Sequence, residues 1–474
     1  MSAYFRGRLG LLAQRSSGIK PTSLTPFSGG TFRSISSQHV PKTPIGPDSG
    51  PSQPAPVSHM NAPSRPQPAV KVLIAGGSYA GLAAAARLLH LTSGHSDGKD
   101  IAHRRGPPLP NLSITIVDER DGYYRSTSET DHAIGSPLAL LDREYAKKAW
   151  VSYDSIASLK SPAVKFLQGS ITKVDCAAGT ASVLDSLTKQ LNTHQYDYFV
   201  AASGLRRTGP VIPSSLTREH YLLEAKRHAV SVEKAEHRVT VIGGGAVGVE
   251  RAATLKACRP HLKVTLVHSR GQLLSSEDLP DKTKERAGKL LKESGVEVLL
   301  NRRVIATTKV KTSYGSTNYE LGFDDGSKLI TGEVVMATSR GVPTTQYLPP
   351  SAVYEAGYVK IKPNLTFEDS TPNAHRYFAA GDICKWTGIK QSGGAIHQGQ
   401  CTAQNIYQSI LSGETGRAPQ FQELELMPPQ IALSVGNNAV VYSPQRGTIS
   451  GGDMAQMFFQ DDMALKCELR CAVA

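Results

Sequence analysis

The first 47 residues contain neither Asp nor Glu, although the chain of 474 residues carries 40 of them. That stretch holds Arg6, Arg8, Arg15, Lys20, Arg33 and Lys42 among many Ser and Thr. The absence excludes an acidic tail and leaves the composition of a mitochondrial presequence. Tyr4, Phe5, Leu9, Leu11 and Leu12 interleave with the first arginines, which suits a weak basic amphipathic helix. Phe32-Arg33-Ser34-Ile35 is the expected processing point, so residues 1–36 are read as a presequence and the location as mitochondrial. A disordered basic tail with no address is the alternative.

Long apolar runs are also missing. Nothing approaches the roughly 18 consecutive apolar residues of a membrane span, so any membrane contact is expected to be peripheral. The six cysteines (176, 258, 384, 401, 467 and 471) include no Cys-x-x-Cys or Cys-x4-Cys pair after the first nucleotide motif. This argues against a dithiol relay, and no metal site is expected. Cys467 and Cys471 would share a helix face but read best as reduced thiols. The net charge of +13 falls to about +8 without residues 1–36, because that segment holds five basic residues and no acid. The remaining excess reads as ordinary solvated charge, so no nucleic-acid partner is expected.

The chain is organised around Lys71 to Leu89. Val72 to Ala75 form an apolar run, Gly76 to Gly81 a tight turn, and Leu82 onward a stretch of strong helix formers. Strand, turn and helix in that order offer a dinucleotide pyrophosphate the free N–H groups of a helix start. Gly76 and Gly81 hold the first and third glycine positions, beside Gly77, and Ser78 replaces the middle glycine. A second copy follows at 237–250, where Gly243, Gly245 and Gly248 fill all three positions. Tyr377-Phe-Ala-Ala-Gly-Asp382 resembles the strand end that holds a flavin's ribityl chain, through Gly381 and Asp382. Together the three stretches imply two dinucleotides face to face, decayed copies of a duplicated module being the alternative.

Between and beyond these stretches the chain punctuates clearly. The Pro- and Ser-rich residues 37–68 read as an extended linker. Leu112 to Asp118 is a strand ending in an acid, and Asp118 or Glu119 is placed to accept from a ribose diol. Lys165 to Val174 reads as a strand whose backbone at Ile171 meets the adenine, and 182–195 as a hairpin. His132, in the loop after Asp118, is a candidate neighbour of the flavin ring or an ordinary surface residue. The strand Lys263 to Val267 ends on His268-Ser269-Arg270, with no carboxylate for a 2′-hydroxyl. Loss of that acid beside Arg270 favours NADPH or dual use, unless Arg270 is only surface charge. Glu333 to Arg340 repeats the pattern of 196–204, so duplication of one module is the simplest account.

These motifs resemble the two-dinucleotide flavoprotein superfamily over residues 69–460. Within it, Gly76 to Leu82, Glu144 to Trp150, Asp197 to Arg207, Val267 to Arg270 and Ile431 to Gly436 resemble the apoptosis-inducing-factor-like group. The similarity is greatest to AMID-like mitochondrial oxidoreductases, relatives of ferroptosis suppressor protein. The resemblance implies an α/β fold of two Rossmann-like domains. It implies an FAD-binding domain over 69–215 and 356–415, an inserted NAD(P)H-binding domain over 216–355 and a C-terminal segment over 416–474. It implies non-covalent FAD, NADPH or NADH as hydride donor, and a quinone or another small molecule as acceptor. Gly76, Ser78, Gly81, Asp118 and Asp382 match its FAD positions, and Gly243, Gly245, Gly248, Glu250 and His268 its nicotinamide positions. Glu250 and Lys390 match its catalytic region, as an orienting acid and a lysine near the flavin, or else form a structural salt bridge. The rival functions are a tailoring oxidase of secondary metabolism, against which the Baeyer–Villiger fingerprint is missing, and a DNA-binding death effector, which rests on charge alone.

Overall fold

A computed structural model describes residues 69–92, 111–125, 139, 141–207, 212–235, 237–311, 317–338 and 341–459. The expected presequence and linker, His132, Cys467 and Cys471 lie outside the described residues.

The first strand, β1 (Val70–Ala75), is buried over its last four residues and leads through the glycine turn into helix α1 (Tyr79–Thr92). Strand β2 (Leu112–Asp118) pairs parallel with β1, and the short pair β3 (Gly122–Tyr124) and β4 (Trp150–Ser152) brackets helix α2 (Arg143–Ala149). β5 (Val164–Asp175) is long because it serves two partners. Its first half continues the parallel sheet beside β2, and its second half pairs antiparallel with β6 (Thr180–Asp185), followed by β7 (Leu191–Gln195). The sheet is completed on its other side by β8 (Tyr198–Ala201) and by a strand from much later in the chain, described below. Its central strands are apolar on both faces, as expected of a sheet covered on both sides.

After β9 (Leu205–Arg206) and helix α3 (Arg218–Glu233) the pattern repeats. β10 (Arg238–Ile242), helix α4 (Ala246–Cys258), β11 (Lys263–Val267), helix α5 (Asp281–Glu293) and β12 (Glu297–Leu299) build a second parallel sheet. The antiparallel strands β13 (Val304–Lys311), β14 (Thr317–Phe323) and β15 (Lys328–Thr331) follow, and β16 (Glu333–Met336) returns to complete the order β12-β11-β10-β16. The Asp324-Asp-Gly326 turn joins β14 to β15 with Gly326 at φ +82. The two sheets repeat each other bond for bond at their open ends. Gly76 N–H donates to Val117 O and Gly243 N–H to Val267 O, both at 2.8 Å; Ala202 N–H to Ala75 O and Ala337 N–H to Ile242 O are also 2.8 Å.

β17 (Val342–Pro343) pairs antiparallel with β9, and β18 (Tyr377–Ala379) joins the first sheet beside β8. Helix α6 (Ser392–Thr415) then lies against α1. The alanines of α1 permit the approach, and at its tightest point a Cβ on Gly399 would stand 2.3 Å from Ala80 O. This contact fixes the start of α6 close to the first glycine turn. The meander β19 (Ile431–Val435), β20 (Asn438–Ser443) and β21 (Gly447–Gly451), with helix α7 (Gly452–Phe458), packs on the second sheet's helices, and Ile431, Leu433, Val435 and Val440 join that module's core.

Candidate functional site

Both glycine turns are shaped by atoms that leave no room for a side chain. Gly76 adopts φ +111 and Gly243 φ +121, values that L residues rarely reach. A Cβ on Gly81 would stand 1.9 Å from Gly76 O, and one on Gly248 1.8 Å from Gly243 O, so each helix begins pressed against its own turn. Gly245 caps α4 with open space around it, and Ser78 takes the corresponding place in the first turn.

The glycine between these points is held from both sides. Gly77 N–H donates to Asp118 Oδ2 at 2.7 Å, while the Tyr153 hydroxyl donates to Gly77 O at 3.0 Å. Tyr153 is held in turn by its ring, stacked on Phe166 with centroids 4.4 Å apart. In the second turn, Gly244 N–H donates to His268 Nδ1 at 3.1 Å, and Leu274 N–H donates to Gly244 O at 2.8 Å. Clamped peptides keep the neighbouring N–H groups in place before any phosphate arrives, which lowers the ordering cost of binding.

The two adjacent acids Asp118 and Glu119 are placed differently. The Oδ1 of Asp118 accepts from Arg120 N–H at 2.8 Å, and its carboxylate lines the cleft between the turns, whereas Glu119 pairs with Arg206 at 2.9 Å. Burial pushes the Asp118 carboxyl above the ordinary range, opposed by its two backbone hydrogen bonds. His268 occupies the same step beyond β11. Because Nδ1 accepts the Gly244 proton, the ring's own proton sits on Nε2 and is shared with Ser275 Oγ at 2.9 Å. Burial and the nearby Arg270 charge hold this imidazole below its usual range, so it is neutral at pH 7.

The turns open into one cleft of about 1340 Å³. Gly76, Ser78 and Asp118 line it from the first module, and Gly243, Gly245, His268 and Arg270 from the second; Gly381, Asp382 and Lys390 complete the wall. Asp382 pairs with Arg207 at 3.5 Å, and Gly381 N–H donates to Gln398 Oε1 at 2.7 Å. Ser392, at the first turn of the 24-residue α6, lines the cleft with a buried Oγ that has no hydrogen-bond partner among the described residues. Two cradles that a Cβ would fill and an orphaned hydroxyl at a helix start are what a pair of dinucleotides requires. The residues present fit them.

Three expectations need correction. Glu250 is 1% exposed and does not line the cleft: its Oε1 accepts from Ser434 N–H at 3.1 Å, on the meander strand β19 that covers α4. Burial pushes its carboxyl up to about 8, making it a buried, mostly protonated acid rather than an orienting carboxylate in the cleft. Lys390 does line the cleft but does not pair with Glu250. Its Nζ donates to Asp382 O at 2.8 Å and Cys384 O at 2.7 Å and lies 4.9 Å from the Tyr358 ring centroid, so it braces the loop after Gly381. Ile171 sits in the β5–β6 ladder opposite Val183, away from the cleft, because β5 leaves β2 three residues earlier. His132 lies outside the described residues.

Sequence reasoning missed Tyr153, Ser392, Gln398 and the pair Arg302-Arg303, all but Tyr153 and Gln398 being cleft-lining. Two consecutive arginines shortly after the short strand β12 were a readable signal. Tyr153 reaches Gly77 across 76 residues of chain and left none.

The model of the pyridine nucleotide-disulphide oxidoreductase family matches residues 64–399. The chain belongs to this family. It is 45% identical over 405 residues to oxidoreductase OXR1 of Ajellomyces capsulatus, covering 83% of this chain and 85% of that protein. Human ferroptosis suppressor protein 1 is 23% identical over 316 residues, 66% of this chain and 74% of that protein. Among solved structures, the sulfide:quinone oxidoreductase of Aquifex aeolicus superposes with a TM-score of 0.60 at 16% identity, over 85% of this chain and 92% of that one, a likeness of fold. As in the family, the chain has the two-dinucleotide α/β fold and is an FAD-dependent NAD(P)H oxidoreductase. The disulphide in the family's description has no counterpart at this cleft: among the described residues no cysteine lines it, and Cys384, on the loop behind it, is fully buried with its thiol pushed up to about 12 by burial.

Proposed function

We propose that FAD seats on the Gly76–Gly81 turn, that the nicotinamide dinucleotide seats on the Gly243–Gly248 turn, and that electrons leave the protein to a quinone-like acceptor. The observation that carries this reading is a single cleft served by two pyrophosphate-type turns and lined by no described cysteine. FAD supplies the relay between a two-electron nicotinamide donor and the acceptor. The chain's own residues bind and position. Backbone N–H groups after Gly76 and Gly243 meet the pyrophosphates, Asp118 accepts from a ribose, and Arg207 holds Asp382 at the flavin-side strand end. Lys390 keeps a cation beside the cleft, where its charge favours a reduced, electron-rich ring over an oxidised one. Burial lowers the Lys390 ammonium's pKa, with Asp382 opposing that shift. Ile389, Met427 and Pro429 line the same end with apolar surface suited to a flat, weakly polar acceptor.

The test is steady-state NADPH oxidation with a short-chain quinone, in wild type and in Cys384→Ser and Cys401→Ser. The expected outcome is quinone-dependent turnover that survives both substitutions. Turnover that needs either thiol would move the acceptor side to sulfur chemistry, and oxygen insertion into a product would favour a tailoring oxidase. The acid-free N-terminus supports delivery of this enzyme to mitochondria, checked by following a tagged full-length chain through organelle fractionation.

A further inference from the structure

The two turns differ at the position that meets the adenosine ribose. Asp118 and His268 occupy equivalent steps, since Val117 pairs with Ala75 and Val267 with Ile242, and each accepts the N–H of the clamped glycine. The carboxylate of Asp118 keeps lone pairs for a ribose diol after its two backbone bonds. The imidazole does not: Nδ1 is taken by Gly244, and Nε2 carries the proton shared with Ser275. A ribose 2′-hydroxyl would find no acceptor on this side chain.

What it would find is positive charge. Arg270 is exposed at the cleft two residues beyond His268, and Arg302 and Arg303 enter the same cleft on the neighbouring segment. The segments are laced together, with Asn301 N–H donating to Arg270 O at 3.1 Å and Arg302 N–H to His268 O at 3.0 Å. Three other acids lie near: Asp325 pairs with Arg302, Asp324 accepts from Arg303 N–H at 3.2 Å, and Glu277 has Arg207 and Lys284 as its charge neighbours. Asp278 is a further exposed acid at the cleft, and among the described residues neither Arg270 nor Arg303 forms an ion pair with any acid.

We propose that Arg270, Arg302 and Arg303 form a 2′-phosphate site that selects NADPH over NADH, with His268 holding the turn in place of the ribose-binding acid. This rests on the reading that the second turn seats a nicotinamide dinucleotide. Guanidinium groups suit a phosphate monoester because they present several donors in one plane.

The experiment is calorimetric binding to the FAD-loaded protein, with NADP+ against NAD+ and adenosine 2′,5′-bisphosphate against 5′-AMP, so that no turnover is required. NADP+ is expected to bind roughly ten- to a hundredfold tighter than NAD+, the scale of a lost charged hydrogen bond. Arg270→Ala and Arg302→Ala should each erode that ratio while leaving NAD+ affinity in place, and His268→Asp should raise NAD+ affinity by restoring an acceptor. Equal affinities in wild type, or arginine variants that weaken both nucleotides alike, would overturn the phosphate site and leave the oxidoreductase reading standing. Failure of either nucleotide to bind would overturn both.

Discussion

Glu250 shows what one buried acid costs. An unfolded glutamate releases its proton near 4.5, whereas the folded chain holds that proton up to about 8, because burial outweighs the Ser434 hydrogen bond and the adjacent Arg251. Between those values the folded state carries a proton that the unfolded chain has lost. The contribution is therefore fully present below about pH 4.5 and disappears as pH rises through about 8. Glu250→Gln keeps an oxygen for Ser434 N–H and removes the titration. We expect the variant to melt at a temperature close to wild type at about pH 5 and a few degrees higher at about pH 8.5. A lower melting temperature at both would mean that the carboxylate is paired and stabilising. The same residue marks a limit of sequence reading. Its place early in α4 suggested a cleft residue, and the strand that buries it arrives 184 residues later. Asp118 and His268 were legible because strand ends in a dinucleotide module have a known task, and their clamping of a glycine peptide was not, because it depends on turn geometry.

At the level of elements, each strand, turn and helix unit is a separable device. A Cβ at Gly81 or Gly248 drives into the carbonyl of the first glycine of its own turn, leaving the other module untouched. Gly81→Ala should therefore yield protein that purifies without flavin colour. Gly248→Ala should stay yellow yet resist reduction by NADPH, and absorbance spectra of the two purified variants check this directly. Loss of flavin from both would show that the turns are not independent. The parallel strands were readable from short apolar runs such as Val72 to Ala75, the hairpin of β6 and β7 was expected over 182–195, and α1 was readable from its helix formers. The packing of α6 against α1 was not, because the close approach at Gly399 depends on two helices more than 300 residues apart in sequence.

On the scale of the whole molecule, two copies of one module face a common cleft and differ at the step beyond their second strand, Asp118 in the first and His268 in the second. The first copy keeps a carboxylate and receives a tyrosine brace, while the second carries a neutral imidazole and a cationic rim. The returning strand β18 ties the late chain to the first sheet, and the C-terminal meander seals the helices of the second. Among the described residues no cysteine lines the cleft, so the proposed transfer to the acceptor runs without a sulfur relay. The most direct test follows the flavin absorbance of the purified protein under anaerobic conditions, adding NADPH and then a short-chain quinone. NADPH is expected to bleach the flavin rapidly, and quinone addition to restore its colour in full. Flavin that neither NADPH nor NADH bleaches would contradict the proposed function, because the second turn would then seat no working nicotinamide.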